Sequence, residues 1–338
     1  MHPSLSTLTF GAEFEILSPL SREAAGRKVT ELTGLPVFTA TGRAPADAWK
    51  IVHDGSIRGA GQGLEFVSPV LKGDTGIEQV RKVAEALKAI GCSVNTTTGF
   101  HVHVGAPTRR IDFFKDLVKL YGRFEDSIDQ IMPASRRQNG APYCKSVKLI
   151  DSAAIDRATT VSELSYAIQR SSGAAGTRYH KVNLEAYSKH GTVEFRQHAG
   201  TVDADKASNW ITICLRLVAA ANAGKTGAET GATIARDFSR LDAKARAVAE
   251  AIAKPEGATA EEIRAAHGFR ALSIKRQAAI AGLQVRVIKS RGKERFFLQA
   301  TTGNGAVPPT LDGLFEVIDA TPEEAAFLRS RAQRLAAL

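Results

Sequence analysis

Four short runs in the first two hundred residues alternate apolar with polar side chains, and the polar positions hold chemistry-bearing groups. A β-strand points successive side chains to opposite faces, so a period of two predicts a half-buried strand. In Gly99–Gly105, His101 and His103 share one face while Phe100, Val102 and Val104 take the other. Leu8–Ile16 places Glu13 and Glu15 together. Leu64–Pro69 carries Glu65, and Thr192–His198 aligns Glu194, Arg196 and His198. Trp49–Asp54 reads as a strand end running into the turn-prone Asp54-Gly55-Ser56.

Other stretches have the helical period. Asp74–Ile90 presents Ile77, Val80, Ala84, Leu87 and Ile90 on one face, with Gly91 in the C-cap position. Ile111–Ile131 aligns Phe114, Leu117, Val118, Tyr121 and Phe124. Shorter and longer helices are predicted near Thr160–Arg170 and over Asp203–Ala223, the latter carrying Trp210, Ile213, Leu217 and Val218. Gly224–Thr233 is rich in Gly and Thr and marks a boundary, followed by an alanine-rich helix over Ile234–Ala253.

Beyond it, Thr259 and Glu262 form a capping box. A turn at His267–Phe269 leads to a helix over Ser273–Ala281, and two strands, Leu283–Lys289 and Arg295–Gln299, flank Ser290–Lys293. This is the element order of a winged helix-turn-helix, whose active forms put the second helix in a groove and the wing on phosphates. Such modules also bind protein or pack on their host. Thr321 caps a terminal helix over Pro322–Leu335. The expected organisation is therefore residues 1–225, a helical connection at 226–254, a winged-helix-like module at 255–300, and a tail at 301–338.

Composition adds three points. With 338 residues and 43% apolar content the chain can bury a large core and a smaller one. It has no apolar run of the roughly 20 residues a membrane span needs and no secretion signal, so no membrane partner and a cytoplasmic location are expected. Cys92, Cys144 and Cys214 are scattered, with no metal-binding spacing, which fits a reducing compartment. The net charge of +10 is concentrated: Arg264–Arg295 holds nine Lys or Arg against Glu294 alone. A basic patch of this kind points to an anionic partner, with nucleic acid at residues 255–300 one candidate and a protein the other.

Carboxylates and imidazoles on strand faces suit divalent ions, and arginines stabilise charge on a transferring phosphoryl group. The glutamate-rich set favours magnesium over zinc. A metallohydrolase could use a similar inventory, but HExxH, CxxC and GxSxG are absent. Lys225-Thr226 lacks phosphate-loop spacing. In the polar stretch Pro133–Gly140, Arg136 and Arg137 could clamp a phosphate or carboxylate, or simply decorate a surface loop.

Six motifs then fall in order: Phe10–Glu15, Asp54–Ser56, Glu65–Pro69, Gly99–Gly105, Tyr179–Asn183 and Gly191–Arg196. Over residues 8–222 the chain resembles the amidoligases, carboxylate–amine ligases of the glutamine synthetase-like fold. The resemblance implies an α+β fold, with a curved antiparallel sheet flanked by helices; the small C-terminal winged-helix-like module lies outside it. It implies ATP-dependent formation of an amide or isopeptide bond from small-molecule or peptide substrates, with ATP and Mg2+ as cofactors. Glu13, Glu15, Glu65, His101 and Glu194 match metal ligands. His103 and Arg196 match groups near the ATP phosphates, with Glu15 shared between the two sets. Arg136 or Arg137 would stand for the arginines that hold phosphate or the acyl substrate.

The chemistry agrees. A carboxylate is a poor electrophile until it is phosphorylated, and the attacking amine must be neutral, so a carboxylate should take its proton. Asp54 is the candidate for binding or deprotonating the amine; the plainer role for it is to cap its own turn. Two other readings use the same residues: a phosphotransferase that stops at phosphorylation, and a nucleic-acid-binding regulator with a degenerate ligase site.

Overall fold

The computed structural model describes residues 5–139, 141–148, 150–226, 243–253, 258–269, 272–280, 284–290, 293–299 and 310–336. In chain order, β1 (Thr9–Ser18) precedes α1 (Arg22–Thr33), β2 (Val37–Phe38), β3 (Trp49–His53), β4 (Gln62–Val67) and β5 (Leu71–Lys72). Then come α2 (Gly73–Ala89), β6 (Phe100–Gly105), α3 (Ile111–Gln130), a single 3-10 turn (Ala134–Arg136), α4 (Ser152–Arg157) and α5 (Val161–Ser172). The segment closes with β7 (Val182–Asn183), α6 (Glu185–His190), β8 (Thr192–Phe195) and α7 (Ala204–Asn222). After the boundary lie α8 (Ala243–Ala253), α9 (Ala260–His267), α10 (Ile274–Ile280), β9 (Gln284–Ser290), β10 (Lys293–Gln299), α11 (Leu311–Val317) and α12 (Pro322–Ala336).

The main sheet runs β2-β3-β4-β1-β6-β8-β7, with β5 also on β1. All its pairs are antiparallel except β2 with β3. The expected mixed fold with a mostly antiparallel sheet flanked by helices is present. Register decides which residues meet: Glu15 lies opposite Glu65, Glu13 opposite His101, and His103 opposite Glu194.

The sheet's apolar face builds the core. Phe10, Phe14, Phe66, Phe100 and Phe195 join Leu87, Leu117, Tyr121 and Trp210 of the helices in one continuous buried cluster. Full burial of each such side chain stabilises the fold by roughly 1.5–3 kcal/mol. Alternation therefore fixes the other face as the one bearing the carboxylates and imidazoles.

The long helices of the larger unit lie within a residue or two of their sequence-predicted ends, and the first nine residues of the helix expected over Ile234–Ala253 lie outside the described residues. Gly91 falls one place beyond the C-cap of α2, which is Ile90, and keeps the left-handed φ of 82° that glycine tolerates. The sequence pattern had no signal for α1, whose apolar stripe is narrow (Ala25, Gly26 and Val29 are buried), or for short α4, α6 and α11.

Two compact units result, Met1–Ala228 with Pro309–Leu338, and Glu229–Pro308. Within the expected tail at 301–338, the part from Pro309 groups with the larger unit: Leu314, Phe315 and Leu328 lie in the large core. Arg216 of α7, 3% exposed, pairs with Glu324 of α12 at 2.8 Å and donates to the carbonyl of Ile318 at 3.4 Å.

The smaller unit contains α8, α9, α10 and the β9–β10 hairpin, in the order read from the sequence. Val248, Ile252, Ile263, Ile274 and Phe296 form its core. The Thr259–Glu262 capping box is made in both directions, at 2.9 and 3.1 Å. Most of the predicted 226–254 connection, and Arg291 and Gly292 between the strands, lie outside the described residues.

Candidate active site

Four adjacent strands, β4, β1, β6 and β8, deliver the polar cluster. His101 Nδ1 lies 3.3 Å from Glu13 Oε2 and 3.6 Å from Glu194 Oε1, while its Nε2 is 3.6 Å from Glu15 Oε1. His103 Nε2 is 3.2 Å from Glu13 Oε1. Two groups have donor atoms all within 4.8 Å of one another: Glu13, His103 and Glu194, and Glu13, Glu65 and His101. Glu13 belongs to both.

Neighbouring groups fix these side chains. The Gly99 N–H donates to Glu15 Oε2 at 2.5 Å. Thr192 Oγ1 sits 2.9 Å from His103 Nδ1, which turns the other ring nitrogen toward Glu13. Asn183 Nδ2 donates to Glu194 Oε2 at 2.5 Å, and Arg196 donates to the other oxygen of Glu194. Asn183 and Thr192 lie within motifs that the sequence reading singled out, yet their roles depend on the β7–β8 and β6–β8 pairings. The alternation of Thr192 with Glu194 was the one local signal available.

The electrostatics are those of crowded anions. Burial raises the Glu65 pKa most, and the charges of Glu13, Glu15 and Asp54 add to it, pushing it up to about 9. Glu13 is also disfavoured by burial, but hydrogen bonds from His101 and His103 outweigh that and hold it well below the usual carboxylate range. His103 is raised: burial opposes its charge, and the Glu13 hydrogen bond and nearby carboxylates overcome that.

The remaining predicted residues divide. Asp54 is half-buried beside this cluster, and its Oδ1 accepts from the Ser56 N–H at 2.7 Å, so it does cap its own turn. Arg136 is 7% exposed and donates to the Thr98 carbonyl at 2.5 Å, on the same peptide unit whose Gly99 N–H holds Glu15; among the described residues its Nε has no hydrogen-bond partner. Arg137 donates from Nε to the Met132 carbonyl at 2.8 Å. His198, expected to share a face with Glu194 and Arg196, does not. Strand β8 ends at Phe195, so the two-residue period no longer applies, and the His198 ring packs 5.8 Å from Phe100 and 5.6 Å from Trp210.

A buried ionic network that the sequence reading missed lies under this loop. Lys181 Nζ, with no exposed side-chain surface, contacts Glu125 at 2.9 Å and Asp129 at 2.6 Å. Gln197 bridges Asp129 and the Arg136 carbonyl. Glu125 and Asp129, four apart on one helix face, were the available hint.

The family described as "Putative amidoligase enzyme" matches residues 6–218. The chain belongs to this amidoligase family, and the match spans the main sheet and every residue of the polar cluster. No curated protein matches the chain. Among the described residues, no helix is long and apolar enough to cross a membrane.

Proposed function

We propose that the larger unit is an ATP-dependent carboxylate–amine ligase with a glutamine synthetase-like fold. The observation that carries this reading is the convergence of Glu13, Glu15, Glu65, Glu194, His101 and His103 with Arg196 on one sheet face. Carboxylate oxygens with a minority of imidazole nitrogens are a donor set for hard divalent cations, and the mutual repulsion that lifts Glu65 is what such a cation relieves. Glu13, Glu15, Glu65, His101 and Glu194 would hold Mg2+, which when bound neutralises phosphate charge. Glu13, common to both donor groups, suits two ions sharing a ligand.

The protein's own groups would do the rest. His103 and Arg196 face the phosphates of ATP, and Arg196 adds positive charge where negative charge accumulates. An oxygen of the substrate carboxylate attacks the γ-phosphorus, the bond to the bridging oxygen breaks, and ADP leaves with that electron pair. A neutral amine then attacks the acyl carbon, Asp54 accepts its proton, and phosphate departs as the amide forms. Arg136, buried behind Glu15, would steady that strand pair and Arg137 the neighbouring loop, so either reaches substrate only if the loop moves. Acid and amine would be small molecules or peptide groups. The smaller unit would act as a winged helix-turn-helix that carries the ligase to nucleic acid through residues 255–300, a reading supported by its element order and basic excess.

The test is ADP and phosphate release from Mg2+ and ATP with pooled carboxylates, with and without pooled amines, beside Glu13→Ala. Amine-stimulated release lost in the variant supports the ligase. Release indifferent to amines favours phosphotransfer. Duplex DNA binding whose affinity falls steeply with salt, and is weakened by Lys275→Ala with Arg276→Ala, would support the second assignment.

A further inference from the structure

On the other side of the His198 loop, α12 and the start of α7 enclose a cavity of about 470 Å3. Among the described residues, Lys206, Arg331 and Arg334 line it against a single carboxylate, Asp203, with the His198 ring in its wall. Arg331 is only 8% exposed, and its Nη1 lies 2.8 Å from His198 Nε2. His198 Nδ1 is 2.6 Å from the Ala199 carbonyl, so Nδ1 carries the hydrogen and Nε2 accepts from the guanidinium. The imidazole is therefore neutral, as its environment demands: burial first, then the Arg331 charge, holds its pKa well below the usual range.

A neutral acceptor satisfies one N–H of Arg331 and none of its charge. Among the described residues no carboxylate lies within ion-pair distance of this guanidinium. Asp203 is engaged elsewhere: Oδ1 accepts from the Lys206 N–H at 3.0 Å as the N-cap of α7, and Oδ2 is 3.6 Å from Lys206 Nζ. Arg334 donates to Ser330 Oγ at 2.6 Å and is exposed. Burial lowers the Arg331 pKa to about 10, with Asp203 opposing. Among the described residues this guanidinium therefore has no paired counter-charge, and the cavity beside it is where one fits.

We propose that this cavity binds a small oxyanion, a phosphoryl or carboxylate group, seated on Arg331 and Arg334 beside the first turn of α7. Guanidinium groups match either oxyanion with parallel N–H donors. The N-terminal end of a 19-residue helix adds favourable field to the same spot. This place differs electrostatically from the glutamate cluster, where negative charge repels an anion unless a cation is present.

The experiment titrates the full-length chain with inorganic phosphate and with acetate, in chelator and at constant ionic strength, by calorimetry and by thermal unfolding. Saturable binding is expected, weakened about tenfold or more by Arg334→Ala, and less by Lys206→Ala. Arg196→Ala, on the other face of the sheet, should leave it within about twofold. Arg331→Leu should abolish it, and if that chain does not fold, the two exposed-side variants decide the matter. Tighter phosphate assigns a phosphoryl ligand and tighter acetate a carboxylate. No saturable binding, or weakening by Arg196→Ala as large as by Arg334→Ala, overturns the proposal.

Discussion

Asn183 and Glu194 face each other across the β7–β8 pair, and the Asn183 amide holds one carboxylate oxygen at 2.5 Å. Glu194 is 4% exposed and its other oxygen meets Arg196, so both oxygens have fixed directions. Replacing Asn183 by Leu removes the orienting donor without touching the charges. We expect about 10–100-fold weaker binding of divalent cation, read by calorimetric titration with Mg2+, because groups behind a ligand control affinity on that scale. Unchanged affinity would mean that Glu194 is not a ligand.

The Lys181 network predicts a different outcome. Lys181→Met leaves Glu125 and Asp129 without their buried counter-charge, and the expected loss is about 3–5 kcal/mol in urea unfolding. Adding Glu125→Gln and Asp129→Asn should recover most of it, since no unpaired charge is then left inside. A single variant as stable as the parent would show that water reaches this network.

Glu65 gives a pH signature. Its native pKa lies above its unfolded one, so its contribution to stability is complete below the unfolded value and is lost as pH rises toward about 9. His103, also raised, has the same sign. From about pH 7 to 7.5, above the ordinary histidine value and a full unit below the ordinary thiol value, metal-free protein should therefore lose stability as pH rises. The slope is bounded by about 1.4 kcal/mol per pH unit for one proton. Saturating Mg2+ or Glu65→Gln should flatten it. A slope indifferent to both would place the titration elsewhere.

Gly99 tests how tightly the site is packed. A Cβ there would lie 2.6 Å from His101 Nε2 and 3.2 Å from Glu15 Oε2. Gly99→Ala should displace both side chains, so Mg2+ affinity falls by more than about tenfold while the unfolding midpoint moves little. Gly55→Ala, where a Cβ meets nothing within 4 Å, is the matched control.

The sequence was most informative where a local period sets orientation. His101 with His103, and Glu13 with Glu15, could be assigned to one face because two residues of strand return a side chain to the same side. That logic stopped at Phe195, where the strand stops, and His198 went to the core instead. Asn183, Lys181 and Arg331 act through partners 11, 56 and 133 residues away, set by register or by helix packing that no local pattern encodes. Arg136 and Arg137 had the right chemistry for a clamp, but their backbone partners belong to a loop whose path depends on the finished fold.

The pairing of α7 with α12 also orders events during synthesis. Arg216 and Glu324 are separated by 108 residues, and the whole of Glu229–Pro308 is translated between them. A nascent chain paused before Thr310 would therefore hold a buried-to-be guanidinium with its carboxylate still unmade, beside a smaller unit already complete in sequence. The larger unit closes its core only when its last segment leaves the ribosome, so the inserted unit has the first opportunity to fold.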